Sequence, residues 1–545
     1  MLARMIVWIC VCVTMVSGIQ ADDVKPNVFV ILNEGEGPFG ENAKMESFFR
    51  PNKDEMLKAE LTWAEYESTL QAASGRVALT SALIYGKESL LTGVVEEWGW
   101  RRKPVLGSSL LDMYRKAGYL SLFYGPWKLG DAHPYDPLSR GFDDALLTQT
   151  SHLNHVWKPE TRSGAVDYAS RSKNLETWAE KGNPIFCLID GSLETSQAST
   201  AAMVKDYAVS QMKNESRATV VIVIAVNEYR GLKEGEPRFY DTLKWSLYSL
   251  GIKKTESKNL AWKHSVRVDK DLSLGLTNLI GVSTEMNRDF YFFHKARWKN
   301  NESPEKYRHR GSLIVGKGHA LVDGLELYPI SQGLEPDLTK PLDIGKNQKL
   351  HSEMLTAHAR WWQQARKALN DPRAFSVGVV DQQVTRLTAE DWRPSKIIHK
   401  DGTSPSSKKI IFQDSVVDIL TALRGGEYRN AFPAYSGSWA VNVRRPGRYK
   451  ITASLLPKEA QNPEEKSLAK LQGGQAFFKL GRNQVQLNLL KGASAVSAHI
   501  DSDAGGADLE CWFTGQLALE RELGAFFVEI ERVGDKKFDL KAGAK

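Results

Sequence analysis

Three short, unbroken apolar runs constrain this chain more than any other feature: "NVFVIL" at 27–32, "PIFCLI" at 184–189 and "TVVIVIAV" at 219–226. A strand with one wet face alternates apolar and polar residues. These runs do not alternate, so each must be covered on both faces, as strands of a parallel sheet are. Helical patterns lie between them. "SSLLDMYRKAGYLSLFYG" at 108–125 reads as a helix stopped by Gly118 and followed by a strand, and "AAMVKDYAVSQMKNE" at 201–215 as a helix leading into the third run. Repeated strand, helix, strand order predicts an α/β fold with a mostly parallel central sheet flanked by helices. Ligands of such sheets bind beyond the strand carboxyl ends, which directs attention to residues 33–37, 125–130, 190–192 and 226–229.

The pattern changes after "LHSEMLTAHARWWQQARKALNDP", a predicted helix ending near Pro372. Short β-patterned runs follow: "GSWAVNVRRPGRYKITASLL", read as a hairpin turning at Pro446-Gly447, then "AFFKLG", "NQVQLNLL", "ADLECWF" and "GAFFVEIERV". They predict a separate C-terminal β-sandwich, in which Trp439, Tyr449 and Trp512 read as core aromatics with a sugar platform as the alternative. "HKDGTSPSSKK" at 399–409 reads as an exposed loop or linker. The expected organisation is a signal peptide over 1–21, an α/β domain with its smaller subdomain over 22–372, a connecting segment over 373–430 and a sandwich-like domain over 431–545.

The signal peptide is expected because Arg4 precedes an apolar run from Met5 to Val16, with small residues ending at Ala21. The run is short for a membrane span, and no later segment reaches the ~20 apolar residues a spanning helix needs. An exported protein, periplasmic or extracellular, is expected. Cys10 and Cys12 would leave with the signal, so Cys187 and Cys511 alone do not make a disulfide framework. The formal charge of +7, from 72 basic and 65 acidic residues, permits an anionic glycan partner without demanding one. No nucleic-acid partner is expected. The run Arg101-Arg102-Lys103 reads as a solvated turn, with a cleft rim as the alternative. His152 and His155 read as surface or packing residues, and Asn214 and Asn301 stand in glycosylation sequons.

Four segments, in order and spacing, resemble the formylglycine-dependent sulfatases of the alkaline phosphatase superfamily. "KPNVFVILNEGEG" is similar to an opening strand K-P-N-(apolar)-D-D-x-G. "AASGRVALTSA" at 72–82 resembles C-x-P-x-R-x-x-L-L-T-G, whose cysteine becomes formylglycine. "GPWKLG" at 125–130 with "PLSRGFDD" at 137–144 resembles G-K-W-H-L-G and P-x-x-R-G-F-D, and "VVIVIAVNEY" resembles the strand ending in a D-N pair. "LSLGLTNLIGV" and "ELYPISQGLEPDL" resemble the family's later helix and E-L-Y-D segment.

The resemblance implies a sulfate ester attacked by a hydrated aldehyde, with Ca2+ held by carboxylates and with Lys and His donors on the oxygens. The matching positions depart from that set. Ala72 stands at the nucleophile position and Ser74 at the proline. The metal positions are Glu34, Gly35, Val226 and Asn227, and in the G-K-W-H-L-G loop the lysine is Pro126 and the histidine Lys128. No cofactor is therefore expected, neither Ca2+ nor formylglycine. Arg76, Lys128 and Arg140 remain as ligand-binding candidates, with a salt bridge or a helix-start contact as the other reading of Arg76. A catalytically degenerate sulfatase that binds an anionic or sulfated polysaccharide is the leading expectation. The alternatives are an active sulfuric ester hydrolase with an atypical site, and a structural or regulatory protein partner of an active sulfatase.

Overall fold

A computed structural model describes residues 25–34, 63–72, 76–95, 100–130, 132–147, 175–178, 180–190, 204, 207, 218–226, 241–250, 260, 263, 265–282, 288–295, 303–332, 334–380, 382–394, 436–456, 463–516 and 522–536. The signal segment, Gly35, His152, His155, Asn214, Asn227, Asn301 and the linker at 399–409 lie outside them, as does most of the helix expected at 201–215. Val204 and Tyr207 of that helix are helical and buried.

The α/β part is built on a seven-stranded sheet of β1 (Asn27–Glu34), β2 (Trp63–Ala72), β3 (Leu120–Gly125), β4 (Asp144–Leu147), β5 (Ile185–Asp190), β6 (Thr219–Val226) and β7 (Asp241–Leu250), in the order β2-β7-β6-β1-β5-β3-β4. The five strands from β6 to β4 are parallel, and β7 pairs antiparallel with both β6 and β2. All strands but β7 therefore point the same way. The central runs are covered on both faces as their composition requires. Val28, Val30 and Leu32 of β1 join a core with Val77, Leu79 and Leu83 of α1 (Arg76–Tyr85), while Phe29 meets Tyr207 edge-on at 5.6 Å. Asn27 sets the register at one end, its Oδ1 accepting from the backbone N of Ile185 at 2.9 Å.

After α1 come α2 (Ser89–Thr92) and α3 (Leu110–Lys116). Ser109 and Asp112 cap α3 reciprocally, and Gly118 at φ +83° turns the chain into β3. At the sheet edge α4 (Pro137–Arg140) precedes β4, and α5 (Asp269–Asn278) packs on α1. A five-stranded antiparallel sheet over 291–336 carries α6 (Gln348–Asn370). Met354 of α6 sits on Ile314, Leu321 and Leu327 of that sheet. Trp361, Trp362, Ala365 and Leu369 sit on Leu90 of α2.

The C-terminal part is a sandwich of a seven-stranded and a four-stranded sheet. One expected element differs here. Gly437–Val443 and Gly447–Ser454 do not form a hairpin: the first pairs in the larger sheet, the second in the smaller. The reason is that Trp439 and Tyr449 both point into the core between the sheets and are fully buried. The Tyr449 hydroxyl donates to the Arg445 carbonyl at 2.6 Å, a tyrosine corner that holds the crossing. Trp512 is buried too and stacks on Phe477 at 5.0 Å. The smaller strands Phe375–Val377 and Val384–Thr388 belong to this sandwich. No helix of the described residues is long and apolar enough to cross a membrane.

A second difference concerns Arg101, Arg102 and Lys103, which do not form a solvated turn or a rim. All three are buried. Asp391 neutralises two of them, at 3.4 Å from Arg102 and 3.5 Å from Lys103, and the Lys103 ammonium lies 3.7 Å from the centroid of the Phe375 ring. Burial lowers the Lys103 amine to about 8.

Candidate functional site

The carboxyl ends of β1, β2, β3, β5 and β6 share one edge of the sheet. Along that edge lie Glu34, Gly125, Asp190 and Val226 on β1, β3, β5 and β6, with Ala72 at the end of the outermost strand β2, four strand positions from β5. Glu34 and Val226 are register partners on adjacent strands, and Asp190 pairs with Leu32 on the other side of β1. Ala72 closes β2 opposite Asp241, and α1 opens four residues later at Arg76. β2 therefore carries position 72 to this side of the sheet, while the first residue of α1, Arg76, reaches the end of β5.

A buried ion pair lies at this edge. Arg76 NH1 lies 2.6 Å from Asp190 Oδ1, with the side chains 7% and 5% exposed. This is the salt-bridge reading of Arg76, with a partner 114 residues away that no local pattern announces. Arg140 is held elsewhere. Its NH1 donates to the Tyr85 hydroxyl at 3.1 Å and its NH2 to the Ser139 carbonyl at 3.3 Å. Tyr85 ends α1 and Arg76 begins it, so ~13 Å of helix separates their anchors at 1.5 Å per residue. The two arginines thus sit at opposite ends of one helix and do not converge on one anion. Burial raises the Tyr85 phenol against the lowering effect of Arg140, which keeps it a neutral donor and acceptor.

Lys128 is half-buried in the loop after β3. Trp127 holds that loop: its indole N–H is shared between the carbonyls of Gly130 at 2.9 Å and Tyr135 at 2.8 Å, and its ring packs edge-on to Phe123 at 5.1 Å. Gly125, at φ +122°, is required where it stands, because a Cβ there would lie 2.2 Å from the Asp190 carbonyl oxygen.

Of the metal positions, Val226 brings no side-chain oxygen, and the neighbouring carboxylate of Asp190 is occupied by Arg76. Among the described residues no group of three or more His, Cys, Asp or Glu side chains is placed to hold a metal. Among the described residues the donors fall short of the six to eight oxygens that a Ca2+ takes.

No family model matches the chain. It is similar to arylsulfatase G of Canis lupus familiaris, 28% identical over 176 residues, covering 30% of this chain and 32% of that protein. To arylsulfatase G of Homo sapiens it is 27% identical over 176 residues, and to that of Mus musculus 29% over 124 residues. The match thus spans about a third of the curated relatives' length. Among solved structures, Ps i-CgsB is 12% identical at a TM-score of 0.38, with 63% of this chain and 94% of that chain covered. An alkaline phosphatase superfamily protein from Vibrio parahaemolyticus is 12% identical at a TM-score of 0.31, with 63% and 88% covered. Over about a third of its length, then, the chain is similar to arylsulfatase G, and the motifs that resemble the sulfatases lie on and around its mostly parallel sheet.

Proposed function

We propose that this is an exported sulfatase-like protein that does not hydrolyse sulfate esters and instead binds an anionic or sulfated glycan. The observation that carries the first half is the edge itself: an alanine at position 72 and, on the strands beyond, the Arg76–Asp190 pair. Alanine has no heteroatom to attack sulfur. An arginine whose charge is compensated by a buried carboxylate attracts an incoming sulfate less than an uncompensated one would. No resident Ca2+ is proposed, since the donors available suit it poorly. The second half is supported by Lys128 in the loop at that edge and by the net charge of +7, which draw polyanions at low salt.

The test is aryl-sulfate turnover by the mature chain, with and without Ca2+, beside an Ala72→Cys variant co-expressed with a formylglycine-generating enzyme. No turnover in either is expected, together with salt-sensitive retention on immobilised heparin that Lys128→Ala weakens. Turnover by the wild type would overturn the first half, and heparin retention indifferent to Lys128 would overturn the assignment of this edge as the binding site.

A further inference from the structure

The loop after β3 belongs to two parts of the molecule at once. It leaves the α/β sheet at Gly125, yet Ala132 and Tyr135 are buried in the core of the C-terminal sandwich. The Tyr135 ring meets Phe375 edge-on at 5.6 Å, and the backbone N of Ser376 donates to the His133 carbonyl at 2.9 Å. Lys103 passes directly under the loop: a Cβ on Gly130 would stand 3.1 Å from its Cγ and 3.2 Å from its Cδ. The ammonium of the same lysine reaches Phe375 and Asp391, both from the C-terminal segment.

Arg102, Lys103 and Asp391 are each about 3% exposed in their side chains, so one carboxylate compensates two cations away from water. Without it, the Lys103 ammonium loses that counter-charge, and a buried charge stripped of its partner destabilises the packing around it. The stem of Lys103 packs against Gly130, so a movement of that side chain would displace the loop.

We propose that Asp391 is a positioning residue for the loop of the α/β domain that carries Trp127 and Lys128, acting through Lys103 beneath Gly130. The C-terminal sandwich is thereby part of the wall of the candidate site. This holds whether or not the site binds a glycan, because it rests on the loop's packing alone.

Hydrogen exchange read by mass spectrometry on the full chain tests it, comparing wild type, Asp391→Leu and the double variant Asp391→Leu/Lys103→Met. In Asp391→Leu, amides of the loop between Pro126 and Tyr135 are expected to exchange about tenfold faster, while peptides of β1 and β6 keep their protection. Removing the stranded amine in the double variant is expected to restore most of the loop's protection. Should Asp391→Leu not fold, Asp391→Asn keeps the shape, drops the charge and carries the same expectation. Unchanged loop exchange in a folded Asp391 variant would overturn the proposal, and so would a uniform rise across the chain or a double variant no better protected than the single.

Discussion

Acid should loosen α6 through one side chain. His358 lies on the buried face of that helix, 1% exposed, with both ring nitrogens buried and without a hydrogen-bond partner. Around it stand Phe292, Trp361, Trp362 and His309, at ring-centroid distances of 6.3, 5.4, 6.2 and 5.0 Å. The ionisable groups nearby, His309, His294 and Arg308, are basic. Burial first, then those neighbours, lowers the His358 imidazole from 6.5 to about 3. The unfolded chain therefore takes up a proton below pH 6.5 that the folded chain refuses until about pH 3. Stability from this group is complete above pH 6.5 and is lost as the pH falls. At pH 5, 1.5 units below the unfolded value, the loss is about 2 kcal/mol at 1.36 kcal/mol per unit. The variant His358→Phe keeps an aromatic ring in an aromatic box and removes the titration. Native-state hydrogen exchange of α6 amides at pH 7.5 and pH 5 measures the opening free energy of this unit without requiring the whole chain to unfold in one step. The wild type should lose about 2 kcal/mol more than the variant between the two values. A difference below ~0.5 kcal/mol, the size of an ordinary surface substitution, would refute the reasoning.

Two further outcomes follow from the described contacts. Arg76→Leu leaves the Asp190 carboxylate buried without that cation and should cost ~3–5 kcal/mol by chemical denaturation, whereas Arg76→Leu/Asp190→Leu should recover most of that; equal losses in both would show that the abandoned carboxylate is not what destabilises the single variant. Tyr449→Phe removes the hydrogen bond to the Arg445 carbonyl and should cost about 1 kcal/mol, read as a shift in the unfolding midpoint of the sandwich.

The parts of the fold that are legible in the sequence are those whose signal is local. β1, β5 and β6 are unbroken apolar runs, α3 carries its own capping pair, and the long period of α6 is visible in Met354, His358, Trp361 and Ala365. Less legible is β2, whose sequence "WAEYESTLQA" mixes charges with apolar residues. It is an edge strand and needs only β7 as a neighbour, so its residues alone suggest no more than a loop entering α1. The segment around Pro446 has the sequence of a tight turn, but whether its strands pair or part is decided by the inward burial of Trp439 and Tyr449, which is a property of two sheets. Three consecutive cations at 101–103 read as wet because the acid that neutralises two of them stands 289 residues beyond Arg102. At the candidate site the residues at the positions that resemble the family's motifs are read directly from the sequence. The engagement of Arg76 by Asp190 and the separation of Arg140 are not, since both depend on how strand ends and helix ends meet in space.

The two described cysteines offer a different use of the same architecture. Cys187 sits in β5 at the centre of the α/β sheet, and Cys511 in the middle of the sandwich's larger sheet, each at most 1% exposed. Burial also raises the Cys511 thiol well above its ordinary value, so neither sulfur reacts until its own sheet opens. Peptide-resolved alkylation therefore clocks each half of the molecule with an internal reporter and no engineered label. Rates that rise together under mild denaturant would mean that the halves come apart as one unit, and rates that diverge would rank which half gives way first.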